Sequence, residues 1–230
     1  MAQTKIIGGG VVTPGVELGI DPTFNALRAS LRPLDYAMAG QILGHYRVAA
    51  TTAAIAPAAN AVLANFRWGD LSRYAVIQRA SIAISVVTAV TAQRTDPITL
   101  TVQRGYTANE ATNITTVTPT QNTGKARVNM GSSLVSQIGV ASLAAGISGG
   151  VRTADVQAES ALAVVGSGAG LTVIGSGQPM DDLIRYDQIT MHPLTLSANE
   201  GFLVQWGPTA LATGTVEITV VLAWSEVVTF

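Results

Sequence analysis

The chain has 230 residues, a formal net charge of −1, 48% hydrophobic and 12% charged residues, and no cysteine. This excludes a disulfide framework or thiolate metal site, leaves no basic field to hold a phosphate backbone, and gives length for one large β domain or two small ones. A soluble domain ordinarily carries about 25% charged residues, and the shortfall here, filled by Ala, Thr, Ser and Gly, suits a surface covered by copies of itself or by a partner.

All 13 basic residues except Lys5 and Lys125 are Arg. Arg favours interfaces because its planar fork makes bidentate pairs and is weakly hydrated, although a GC-rich genome gives the same bias. Met1–Lys5 leads into Ile6-Ile7 and three glycines, too short an apolar run for a secretory signal. The Ala-rich stretch Val48–Phe66 carries Thr51, Thr52, Pro57, Asn60 and Asn65, so it is not expected to cross a bilayer.

Residues 1–22 read as an arm. Gly8-Gly9-Gly10 breaks regular structure, and Pro14-Gly15, Gly19 and Pro22 punctuate the rest of the arm. Yet Ile6, Ile7, Val11, Val12, Val16 and Ile20 are apolar, which a free tail does not need. They fit a segment lying in a groove of a neighbour, or one packed locally at the edge of its own domain. Over Thr23–Leu31, Phe24, Leu27 and Leu31 share a helical face, Asp21 or Thr23 caps it and Pro33 ends it. The arm with this short helix occupies 1–42, and a β domain occupies 43–230.

From residue 43 the pattern is β. Strands are expected over Leu43–Ala54, over Ala61–Trp68 (Val62, Ala64, Phe66 and Trp68 alternating), over Tyr74–Val90, and around Ile98, Leu100 and Val102. Gly69-Asp70 and Thr95-Asp96-Pro97 read as turns. Residues 107–124 are Thr/Asn-rich and read as a surface loop or short edge strand. Val151–Ala163 fits a strand or a short helix, and Gly166–Gly177 a Gly/Ser loop. Ser197–Gly201 reads as a tight turn. Two strands close the chain, Phe202-Val204-Trp206 and Val216-Ile218-Val220-Leu222-Trp224, facing one core. Short strands at this spacing predict an all-β, antiparallel sandwich, jelly-roll-like.

No motif carries chemistry. Val164–Gly170 resembles a nucleotide loop, but the third glycine of the fingerprint falls on Leu171 and no Walker lysine follows. His45 and His192 lack a third ligand, which argues against zinc. Asp181 and Asp182 are adjacent on an extended chain and point to opposite faces, and Asp182 is placed to pair with Arg185. Ser132 and Ser133 follow Gly131 without a nucleophile elbow. Trp68, Trp206 and Trp224 sit at apolar alternation positions and belong to the core. The expectation is a non-enzyme with no catalytic, cofactor-binding or metal-binding residues and no cofactor.

The block Asn65-Phe66-Arg67-Trp68-Gly69-Asp70 with Tyr74-Ala75-Val76-Ile77-Gln78-Arg79 resembles a family of tailed-bacteriophage virion structural proteins. So do His192-Pro193-Leu194, Ala198–Phe202 and Val220–Glu226. The likeness spans roughly 44–228 and carries no catalytic residue. It implies a capsid cement or decoration protein, made in the host cytoplasm and placed on the capsid exterior. Its partners would be the major capsid protein and itself, a homotrimer on symmetry grounds, with no direct nucleic acid and no membrane. The apolar arm residues Ile6, Ile7, Val11, Val12, Val16 and Ile20 are then the partner-binding residues. The alternative is a receptor- or glycan-binding tip of a tail fibre, with residues 107–124 or 166–190 as the binding loops.

Overall fold

The computed structural model describes residues 20–21, 26–27, 42–91, 94–118, 131–166, 181–186 and 193–228. Fourteen strands are assigned: β1 (Ile20–Asp21), β2 (Ala26–Leu27), β3 (Ile42–Thr51), β4 (Val62–Trp68), β5 (Tyr74–Thr88), β6 (Arg94–Arg104), β7 (Ile114–Thr116), β8 (Gln137–Ala141), β9 (Thr153–Ala154), β10 (Ser160–Gly166), β11 (Asp181–Arg185), β12 (Leu194–Leu196), β13 (Glu200–Gln205) and β14 (Thr215–Val227). No helix occurs among the described residues. β1 and β2 pair with each other in a separate two-stranded sheet. The rest of the arm and of the helix expected over 23–31 lies outside the described residues.

Two antiparallel sheets form a sandwich. One has seven strands in the order β10-β6-β13-β4-β8-β7, with β9 beside β10 on β6. The other has the order β11-β5-β14-β3, with β12 beside β11 on β5. Taking β11 and β12 together as one strand position, and setting β7, β8 and β9 aside, eight positions remain. Numbered along the chain, they run 1-8-3-6 in one sheet and 2-7-4-5 in the other. This is the winding of a jelly roll. The strands β7, β8 and β9 belong to an insertion between β6 and β10, and β8 and β7 extend the larger sheet past β4.

The winding explains the alternation at the chain's end. β13 and β14 are not hairpin partners: one pairs with β4 and β6, the other with β3 and β5. Their apolar faces meet from opposite sheets, so Phe202, Val204, Val216, Ile218 and Trp224 are fully buried in one core. The tight turn at 197–201 is the sheet-to-sheet crossing. Asn199 takes a left-handed conformation (φ 60°) there, which a short polar side chain tolerates. Gly201 follows because a Cβ would sit 2.1 Å from Phe66 O.

Aromatic rings bridge the sheets. Phe66 stacks on Phe202 (centroids 5.3 Å) and meets Trp224 edge-on (5.3 Å), while Tyr46 stacks on Trp224 (5.6 Å). All three tryptophans are buried, as the alternation predicts. Their indole N–H groups find acceptors: Trp68 donates to Arg73 O and Trp206 to Thr209 O, both at 2.9 Å.

Thr95-Asp96-Pro97 is not a turn, since β6 already begins at Arg94. Pro97 pairs only with β10 there, because the β13 ladder on β6 ends at Thr99. Proline is tolerated where a ladder has run out. Residues 153–154 and 160–166 are strand rather than helix, and the Thr/Asn-rich segment contains the edge strand β7.

Candidate functional site

β4 is buried on both faces. Val62, Ala64, Phe66 and Trp68 face the sandwich core, and the intervening Leu63 and Asn65 are also fully buried, because the β6–β10 insertion covers the outer face of the larger sheet. Loops cannot bury their backbone without hydrogen-bond partners, and here the partners are concentrated around Glu110.

The Glu110 side chain is fully buried. Its Oε1 accepts from the Tyr106 hydroxyl (2.7 Å) and lies 2.6 Å from Arg152 Nη1, and its Oε2 accepts from Gly150 N (2.7 Å). Gln137 on β8 brackets its backbone, accepting from Glu110 N and donating to Glu110 O, both at 2.8 Å. Asn65 Nδ2 donates to Tyr106 Oη (3.1 Å) and to Gln137 Oε1 (3.0 Å). Asn65 Oδ1 is buried without a partner. Arg67 pins the loop from β4, donating to Tyr106 O (2.6 Å), Thr107 O (2.9 Å) and Asn109 Oδ1 (2.6 Å). The Arg67 and Arg152 guanidiniums lie 5.9 and 5.7 Å from the Tyr106 ring centroid, within cation–π range. Burial, reinforced by the bond to Glu110, raises the Tyr106 phenol well above its ordinary pKa. It therefore stays a neutral donor.

A second buried carboxylate, Glu226, continues the core-facing register of β14 two residues beyond Trp224. It accepts from Ser133 Oγ (2.6 Å), Leu134 N (3.0 Å) and Trp224 Nε1 (3.3 Å). Tyr46 donates to Gly131 O (3.0 Å), so β3 and β14 together hold the segment that leads into β8. Burial raises the Glu226 pKa above its ordinary 4.5, against the pull of the Ser133 and Leu134 donors. Burial, then the Glu226 charge, pushes Tyr46 up to about 12.

Asp182 is paired as the sequence suggests, with Arg185 Nη1 at 3.7 Å, and more closely with Arg79 Nε at 2.7 Å. Burial alone would raise its pKa, but the Ser81 hydroxyl and the Arg79 guanidinium outweigh it and hold the carboxyl below its usual value. His45 sits beside Ser225 Oγ (Nδ1 at 3.0 Å). Ser133 is bonded to Glu226 rather than to a histidine. No group of three or more His, Asp or Glu side chains among the described residues could hold a metal ion. Ile6, Ile7, Val11, Val12 and Val16 lie outside the described residues, as does His192; Ile20 opens β1.

Sequence reasoning missed Glu110 and Glu226. Nothing in the Thr/Asn-rich text marks Glu110. Glu226 was findable, since it stands at the next inward position of an otherwise apolar alternation. No protein-family model, curated protein or solved structure matches this chain.

Proposed function

We propose that this chain is a virion structural protein, a capsid cement or decoration protein that stabilises an assembled head by bridging neighbouring capsid subunits. The observation that carries this reading is the use made of the buried glutamates. Glu110 and Glu226 each direct their carboxylate oxygens to donors of a segment that must be held against a sheet, which is the work of a rigid part. The low charge and the likeness of 65–79 and 192–226 to tailed-phage virion proteins support the same reading.

The mechanism is mechanical. The folded roll sits over a junction between capsid subunits, and the apolar arm from Ile6 to Ile20 extends onto a neighbour. A protein that binds only the assembled state stabilises it by RT ln(1 + [L]/Kd), about 2.7 kcal/mol per site at a hundredfold excess over Kd. The test is co-sedimentation of the purified chain with undecorated tailed-phage heads. The full chain is expected to bind, and a chain lacking residues 1–20 to fold but not bind. Failure of the full chain to bind, or undiminished binding by the truncation, would overturn the proposal.

A further inference from the structure

Three arginines line up across the outer face of the smaller sheet. The strand register sets Arg47 on β3 beside Ala223 on β14, Ala223 beside Arg79 on β5, and Arg79 beside Arg185 on β11. Tyr46, Trp224, Ala80 and Ile184, one residue away on each strand, belong to the core or pack against it, so the row itself points outward. Four strands spaced about 4.8 Å apart make it about 14 Å long.

The row holds more positive than negative charge. Arg79 Nε and Arg185 Nη1 share one carboxylate, Asp182, at 2.7 and 3.7 Å, and Arg47 takes part in none of the ion pairs among the described residues. The next carboxylate on this face of β14, Glu217, stands six residues from Ala223, about 20 Å along the strand. In the full 230-residue chain the Arg79 and Arg185 side chains are 42% and 77% exposed, and Arg47 is exposed as well. Arg104 shows the contrast. Its side chain is 60% exposed, but Asp155 and Glu200 neutralise it at 2.9 and 2.7 Å.

We infer that this row is a docking surface for an acidic segment of another protein. The guanidinium fork fits carboxylates and phosphates alike. Asp182 stands beside the row and opposes an unbroken run of phosphates, and a chain of net charge −1 has no wider field to offset it. A protein segment can place its carboxylates to either side of Asp182. The chain's own remaining residues are ill suited to neutralise the row. Those outside the described ones carry five basic side chains, Lys5, Arg28, Arg32, Lys125 and Arg127, against three acidic ones, Glu17, Asp35 and Asp187. Two copies meeting by this same face would set row against row, like charge on like. The docking surface depends on neither the arm nor the cement reading.

The test titrates the full-length chain with poly-L-glutamate by calorimetry at low and at physiological salt, with duplex DNA as a second polyanion. Saturable binding of polyglutamate that weakens with salt is expected. Arg47→Gln and Arg185→Gln both leave the Arg79–Asp182 pair in place, and each should weaken binding roughly two- to fivefold, the range for an exposed ion pair. Arg104→Gln should leave binding unchanged. Absence of saturable binding at low salt overturns the inference, as does an equal loss from Arg104→Gln. Tighter binding of DNA than of polyglutamate through Arg47 and Arg185 would make the row a nucleic-acid site. Self-association in light scattering that Arg47→Gln and Arg185→Gln weaken would put a second copy on it. A lowered denaturant midpoint for Arg47→Gln in the chain alone would put one of its own carboxylates there. Each of these three results also overturns the inference. Head binding reads the cement proposal separately, so the two can fail independently.

Discussion

Glu110 and Glu226 are both buried, and both clasp a segment of the β6–β10 insertion, yet they are built differently. Glu110 is met by a cation, Arg152, at 2.6 Å. Among the described residues, Glu226 has only neutral donors within hydrogen-bond reach, with Arg73 attracting it from further away. A buried charge pair is costly to break because the surviving partner is left uncompensated. A lone buried carboxylate carries its desolvation cost at all times and sheds it on protonation. The insertion is thus locked at one point by charge and clasped at the other in a way that pH can modulate.

The same chemical change at both positions should give different results. Glu110→Gln keeps the shape but strands Arg152, and should lower stability by about 3 kcal/mol or more in denaturant unfolding. Glu226→Gln keeps an acceptor for Ser133 and Leu134 and removes an unpaired buried charge, so a loss of about 1 kcal/mol or less is expected. Equal losses would dissolve the distinction.

The pH dependence sharpens it. A carboxyl whose folded pKa is raised contributes stability that is fully present below its unfolded value, near 4.5, and is lost as pH rises through the folded value. Wild type should therefore lose part of its stability above pH 4.5, and Glu226→Gln should lack that component. An unchanged difference between the two chains across this window would contradict the assignment. Asp182 works in the opposite sense. Its lowered pKa contributes stability above 3.8 that is lost as pH falls through the folded value.

Smaller effects are expected at the flanking contacts. Tyr46→Phe removes the bond to Gly131 O and should cost about 1 kcal/mol, read as a shift in denaturant midpoint. Asp182→Asn loosens the partly exposed pairs with Arg79 and Arg185 and should cost less than about 1 kcal/mol.

The roll itself was legible because its inward positions are apolar at period two. Val62 to Trp68, Phe202 to Trp206 and Val216 to Trp224 all bury the faces their spacing assigns. Pro97 misled, because proline usually marks a turn and here sits in a strand beyond a neighbour's ladder. The Glu110 network was not legible. Its members Asn65, Tyr106, Gln137 and Arg152 come from distant parts of the chain, and only the docking of the insertion, through β8, on β4 brings them together. Alternation reports which side of a strand is apolar, but it cannot show that a polar side is covered as well.

The central claim is that this rigid part stabilises an assembled shell. The most direct measurement is the thermal disruption midpoint of undecorated heads with and without the purified chain in excess. The account predicts a midpoint that rises with chain concentration and saturates when the sites are filled. An unchanged midpoint at saturating concentration would contradict it.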